Sequence, residues 1–241
     1  MNVFVVNLAR RPDRRARMER ILPPSWDVEF TTHWAGPLDG ASIDPAEMQA
    51  YGLFDWQVES TNEWWNRPLK LGEIGCAISH LLCWRRAAEQ KSELTVVLED
   101  DVSLAPGIAI ELDARLAGLR ALDPAWDLVY LGRWALEPAA DIPVGDGLVR
   151  PCYSFCTFGY ALSAAGLAKL LDVGFELELI PVDELFPALY LPHPRADVRD
   201  RYPARLSAYA FEPPLVTQLP KEVAGSDTEA TAFVTGTATE R

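Results

Sequence analysis

The residues best suited to chemistry are Glu99, Asp100 and Asp101, which follow Thr95-Val96-Val97-Leu98 without interruption. Apolar and β-branched residues running straight into adjacent carboxylates describe a buried strand that stops at a charged edge. Adjacent acids repel one another and are costly to bury without a partner. A cation removes that cost. In α/β proteins ligands collect at the carboxyl ends of sheet strands, and hard divalent ions such as Mg²⁺ or Mn²⁺ take oxygen ligands. Glu99 and Asp101 project to the same side of an extended chain, so they are candidate metal ligands. The plainer alternative is an acidic strand-to-helix turn in which one Asp caps the next helix. An acidic triplet alone is a weak motif, and the rest of the chain must decide.

Other residues could take part. Arg10, Arg11, Arg14, Arg15, Arg17 and Arg20 crowd one segment, either as a solvated helix face or as an anion-facing one. Asp183 and Glu184 follow Pro181-Val182 at the start of a short helix, where the dipole favours an ionised carboxylate; N-capping and catalysis fit Asp183 about equally. His80 lies within a helix, and a lone helical His is more often a packing residue than a catalyst. Gly72 and Gly75 at the start of that helix permit close approach of backbone to a ligand. Trp56, Trp64 and Trp65 fit a core somewhat better than a sugar-stacking wall. Cys76, Cys83, Cys152 and Cys156 show no metal-ligand spacing and read as reduced, packed thiols of a cytosol-like compartment.

The elements that must hold these residues alternate between strand and helix, the pattern of an α/β fold. Val3 to Leu8 is apolar on both faces and reads as a central parallel strand, followed by a helix from Pro12 to Leu22 with its proline in the first turn. Strands follow over 27–34, 95–99, 127–132, 153–162 and 209–212. Helices are expected over 45–51, 74–88, 108–119 and 163–171, the last capped by Ser163. Residues 136–147 hold Pro and Gly enough for a loop or hairpin. From Ser226 onward the chain has no periodicity and reads as a mobile tail. No repeat or linker divides the 241 residues, which suffice for one domain with a full core.

Composition excludes several classes. Hydrophobic residues make up 49% and charged residues 24%, ordinary values for a globular protein. The net charge of −13 argues against nucleic acid as a partner. No stretch approaches ~20 consecutive apolar residues, so no transmembrane segment is expected and any membrane role is peripheral. The first residues enter a strand at once, without a charged n-region, so no signal peptide and a cytoplasmic location are expected.

Taken in order, the motifs resemble glycosyltransferase family 25, which includes bacterial lipooligosaccharide galactosyltransferases and animal collagen hydroxylysine galactosyltransferases. The resembling blocks are Val5-Val6-Asn7-Leu8 with Arg10-Arg11-Pro12-Asp13-Arg14-Arg15, Arg67-Pro68-Leu69, Gly72-Glu73-Ile74-Gly75-Cys76 and Ser79-His80. They continue with Leu98-Glu99-Asp100-Asp101, Trp126 to Gly132, Tyr160 with Ser163, Pro181-Val182-Asp183-Glu184, Ala210-Phe211-Glu212-Pro213 and Ser226-Asp227-Thr228-Glu229. The later blocks look closer to the collagen enzymes. Lys70-Leu71 and the looser Ala35-Gly36-Pro37-Leu38-Asp39-Gly40 depart from the family pattern.

The resemblance implies a GT-A fold, a Rossmann-like nucleotide-sugar-binding single domain over residues 1–241 with a mainly parallel central sheet. It implies Mn²⁺ (or Mg²⁺) held by Asp101 and Glu99, with Asp227 as a third ligand, and a UDP-sugar donor whose diphosphate that ion neutralises. Residues 220–241 then become a segment that closes over the donor. Asn7, Leu8, Arg10, Arg14, Glu73 and Asp100 are expected around the nucleotide. Transfer would invert the anomeric centre, with Asp183 as first choice and Glu184 as second for the base that deprotonates a glycan or protein hydroxyl acceptor. UDP-galactose is the expected donor. Another UDP-sugar, or a non-catalytic nucleotide-sugar or partner-binding module, is the alternative. A cytosolic chain suits lipid-linked glycan assembly at the inner membrane face, whereas closeness to the collagen branch suits a protein acceptor.

Overall fold

Strands that are apolar on both faces need cover on both faces, and residues 3–5 and 96–98 demand it. The computed structural model of the chain describes residues 1–234. Its first half runs β1 (Asn2–Val6), α1 (Pro12–Ile21), β2 (Val28–Phe30), α2 (Pro45–Met48), α3 (Leu71–Glu89), β3 (Leu94–Glu99), β4 (Val102–Leu104) and α4 (Ile108–Leu122). There follow β5 (Leu128–Ala135), β6 (Ile142–Gly145), β7 (Leu148–Arg150), β8 (Ser154–Ser163), α5 (Ala164–Leu171) and α6 (Val182–Tyr190). The chain ends through α7 (Ala196–Arg201), β9 (Ala208–Phe211), β10 (Val216–Gln218) and α8 (Lys221–Ala224).

The main sheet has the order β2-β1-β3-β8-β5-β9-β7-β6. β1 pairs in parallel with β2 and β3, and β5 with β9, while β8 runs antiparallel between β3 and β5. The domain is thus α/β with a mainly parallel central sheet. Alternation along β3 feeds two cores. Val96 and Leu98 pack with Met18 of α1 and Leu112, Leu116 and Leu119 of α4, whereas Val97 packs with Ile74 and Trp84 of α3, Leu170 of α5 and Phe186 of α6. The site therefore sits on a sheet edge anchored from both sides.

Three expectations change. The strand expected over 27–34 stops at Phe30, because the Thr31 hydroxyl bonds both the backbone N–H and the carbonyl of Asn7 and turns the chain into one 3₁₀ turn. Gly72 and Gly75 do admit close backbone, but the backbone is the protein's own. A Cβ on Gly75 would lie 2.4 Å from the Leu38 carbonyl oxygen, and one on Gly72 would lie 2.7 Å from Thr228 Cα. The segment read as a mobile tail straps the start of α3, where the N–H groups of Leu71 and Gly72 donate to the Ala232 carbonyl at 2.9 Å and the Thr231 hydroxyl at 2.8 Å. Residues 235–241 of that expected segment lie outside the described residues. Among the described residues no helix is long and apolar enough to cross a membrane.

Candidate active site

The acidic triplet splits as the sheet ends. Glu99 closes β3, and a two-residue turn leads into β4, so Asp100 falls on the α1 side and its neighbours on the other. Asp100 is fully partnered. Arg14 donates to its Oδ1 at 2.7 Å and Asn7 Nδ2 to its Oδ2 at 2.7 Å.

Glu99 meets Asp183, which α6 presents in its first turn. Thr157 of β8 stands between them, its hydroxyl 3.1 Å from Glu99 Oε1 and 3.2 Å from Asp183 Oδ1. A hydroxyl has one proton to give, so two ionised carboxylates cannot both be satisfied there. Burial pushes Glu99 up to about 7. Burial, then the charge of Glu99, push Asp183 up to about 7 as well. Asp101 rises to about 6 for the same two reasons. Its Oδ2 accepts from Gln218 Nε2 at 3.2 Å, and its buried Oδ1 has no hydrogen-bond partner among the described residues. This is a cluster with more acceptor oxygens than donors. Glu99 and Asp101 offer only oxygen, so they fit a hard divalent ion.

Thr157 was not legible as a site residue, since Thr is an ordinary strand former. Its placement depends on an irregularity in the β5–β8 ladder, where the register shifts between Gly132 and Trp134. Cys156 beside it has φ of 66°, a conformation uncommon for a residue other than glycine and often met at functional sites. His80 is held as a packing residue would be, with Nδ1 2.8 Å from the Tyr160 hydroxyl that also accepts from Trp84 Nε1 at 2.7 Å. Its Nε2 nevertheless faces Glu99 at 3.7 Å, and burial lowers the ring to about 4, which keeps it neutral.

The remaining expected residues are placed elsewhere. Glu184 adjoins Asp183 in sequence but turns away, fully buried, with His193 Nε2 at 2.8 Å and the Tyr153 hydroxyl on the same oxygen. The cause is helical geometry, which separates successive side chains by about 100°. Glu184 lines a cavity of about 570 Å³ walled by Trp65, Tyr153, Phe155 and Tyr190. Trp56 is core, at 2% exposure, and Trp64 and Trp65 pack half-buried against the same core. Asp227 is not beside Glu99 and Asp101 as a third ligand. Arg10 and Arg11 donate to its two oxygens, and Arg14 lies 3.3 Å away. Glu73 accepts from Arg67 and from the Lys70 N–H at 2.8 Å, which hold it as the cap of α3. Asn7, Arg10, Arg14 and Asp100 likewise bond within the protein: Asn7 also takes the Thr32 hydroxyl at 2.6 Å, and Arg10 bonds Asp39 at 2.7 Å. The Leu8 carbonyl closes a turn onto the Arg11 N–H.

An α/β domain with a carboxylate cluster at the carboxyl edge of its sheet is the class that fold and site define. Residues 1–123 match the family described as "Glycosyltransferase family 25 (LPS biosynthesis protein)", and the chain belongs to that family. It is 33% identical over 222 residues to procollagen galactosyltransferase 2 of Mus musculus, covering 89% of this chain and 34% of that one. It is 31% identical over 218 residues to procollagen galactosyltransferase 1 of Danio rerio, covering 89% and 35%. It is also 33% identical over 238 residues to the "Probable inactive glycosyltransferase 25 family member 3" of Rattus norvegicus, covering 95% and 41%. The chain therefore spans only 34% to 41% of the length of these relatives.

Proposed function

We propose that the chain transfers galactose from UDP-galactose to a hydroxyl of a glycan or of a hydroxylysine-type protein acceptor, with inversion, using Mn²⁺ or Mg²⁺. The observation that carries this reading is the meeting of Glu99 and Asp183 across one hydroxyl, beside an Asp101 oxygen that has no partner among the described residues. Glu99 and Asp101 would hold the divalent ion, which supplies positive charge to the diphosphate as it leaves. Asp183 takes the acceptor hydroxyl's proton. A buried carboxyl with its pKa near neutrality suits a general base at physiological pH. Thr157 fixes the Asp183 oxygen by hydrogen bond, and neutral His80 closes the buried side of the cluster without adding charge.

The aromatic cavity supports an acceptor position. Phe155 of β8 and Glu184 and Tyr190 of α6 line it, from the elements that carry Thr157 and Asp183, and its walls offer ring faces to a sugar or an aliphatic side chain. Asp227 and Arg14 stabilise the strap of the C-terminal segment in this reading, and the metal rests on Glu99 and Asp101.

The test is UDP release from a panel of UDP-sugars, with Mn²⁺ or with chelator, for wild type and Asp101→Ala. Metal-dependent release from UDP-galactose, lost in the variant, is expected. Tight UDP binding with no turnover under any acceptor would favour the inactive type of family member instead, and failure to bind UDP would remove the transferase reading altogether.

A further inference from the structure

Beside the carboxylate pair lies a second set of donors that the proposed chemistry leaves idle. Cys76 and His80 stand four residues apart on α3, so their side chains share one face. One ligand atom each of Cys76, His80 and Glu99 lie within 4.8 Å of one another. The spacing is readable in the sequence, but only the fold adds the third member from β3.

We propose that Cys76, His80 and Glu99 form a site for a borderline divalent ion of the Zn²⁺ type, which competes with the hard-cation site for Glu99. An independent observation supports it. His80 is fully buried, and its Nε2 has no hydrogen-bond partner among the described residues. The opposite ring nitrogen already rests on the Tyr160 hydroxyl, which Trp84 fixes in place. A metal-binding imidazole is commonly held in this way, through its second nitrogen by a fixed polar partner.

The donor set decides the ion. Thiolate sulfur, imidazole nitrogen and one carboxylate oxygen select Zn²⁺ or Co²⁺ over Mg²⁺ and Mn²⁺, and three protein ligands leave a coordination position open. On binding, the Cys76 S–H bond breaks, sulfur bonds to the metal, and the proton leaves to solvent. Glu99 would then turn one oxygen to this ion instead of to the one it shares with Asp101. That consequence rests on the proposed function; the metal site itself does not.

The experiment titrates the purified, metal-free full chain with Co²⁺ alone and follows the near-ultraviolet absorption of a thiolate-to-cobalt bond. Wild type should develop that band and lose it on addition of Zn²⁺. Cys76→Ser should abolish it, and Tyr160→Phe should weaken cobalt binding about 10- to 100-fold. Asp101→Asn and Asp183→Asn should keep the band, which separates this site from the carboxylate set. No band in wild type overturns the proposal, as does a band that survives Cys76→Ser, since another thiol such as Cys156 would then be the ligand. Should Cys76→Ser fold poorly, His80→Gln decides: cobalt affinity should fall at least about tenfold, and unchanged affinity overturns the site. Inhibition of UDP release by Zn²⁺ should weaken by a similar factor in Cys76→Ser, and inhibition that stays unchanged overturns the competition for Glu99.

Discussion

Asp100 and its two flanking acids are chemically alike and adjacent, yet the fold treats them oppositely. Both oxygens of Asp100 are bonded, to Arg14 and Asn7, and Arg14 continues to Asp227 and to the carbonyls of Ala224 and Gly225. That side ties the end of β1, the turn after β3 and the C-terminal segment together. On the other side Glu99 and Asp183 share one hydroxyl and, among the described residues, Asp101 keeps an oxygen without a partner. Partner supply, and not residue type, separates a carboxylate that holds the structure from one left free to act. A buried acid without compensation either takes up a proton or is completed by something outside the chain.

The sharpest way to break this comparison is to neutralise one acid on each side. Asp183→Asn should lower turnover by about 10²- to 10⁴-fold, the range for loss of a general base, while the chain melts at or above the wild-type temperature. A variant that keeps its rate would move the base elsewhere, with Glu184 as the next candidate. Asp100→Ala should do the reverse in kind. It leaves Arg14 buried with one partner fewer, and the loss should be about 3 kcal/mol of unfolding free energy. That is the low end for breaking a buried pair, because Asp227 remains 3.3 Å from the guanidinium. Chemical denaturation reads it, and a cost near zero would deny Asp100 its role as an anchor.

How much of this the sequence showed depends on how local each signal is. β3 and the acidic triplet were legible because a run of apolar residues ending in charge is a property of eight consecutive positions. The separation of Asp100 from Glu99 and Asp101 matches what strand alternation predicts, although in the fold the turn at Asp100 and Asp101 produces it. The pairing of Glu99 with Asp183 was not legible as a contact, because it joins β3 to α6 through β8, across more than eighty residues of chain. Thr157 carried no signal at all. The partners of Asp227 were not legible either, because they are three arginines more than two hundred positions earlier. Cys76 and His80 stand at helical spacing in the sequence, but a Cys–His pair becomes a donor set only when the fold adds Glu99 from β3.

The carboxylate cluster also makes stability depend on pH, and burial shifts the bonded Asp100 in the same upward direction. Glu99 and Asp183 sit near 7 in the folded chain and Asp101 near 6, against ordinary values near 4 once unfolded. Between those limits the folded state binds more protons, so this cluster's contribution to stability is complete at the acid end and is lost as pH rises through about 7. Each unit is worth roughly 1.4 kcal/mol, but Glu99 keeps 22% side-chain exposure and solvent screening reduces its share. The stability of the metal-free chain should therefore fall between roughly pH 5 and pH 8. Other carboxylates titrate with the opposite sign, Asp141 and Asp197 among them. The measurement is therefore the difference between wild type and Asp183→Asn, which should be the flatter of the two. Identical profiles would mean that Asp183 titrates like an exposed acid, and the comparison would lose its basis.

The smallest effect tests the bonded side against itself. Arg10 and Arg14 both touch Asp227, but Arg10 keeps 39% of its side chain exposed while Arg14 keeps 10%. An ion pair open to water gains little, because solvent screens it and both side chains lose freedom on pairing. Arg10→Ala should therefore cost only about 0.5 kcal/mol, falling further at high salt, although Arg10 bonds both Asp39 and Asp227. Equilibrium unfolding at low and high ionic strength would show it. A loss as large as that of Asp100→Ala would mean that the outer arginine shares the anchoring, and that exposure does not grade the bonded side.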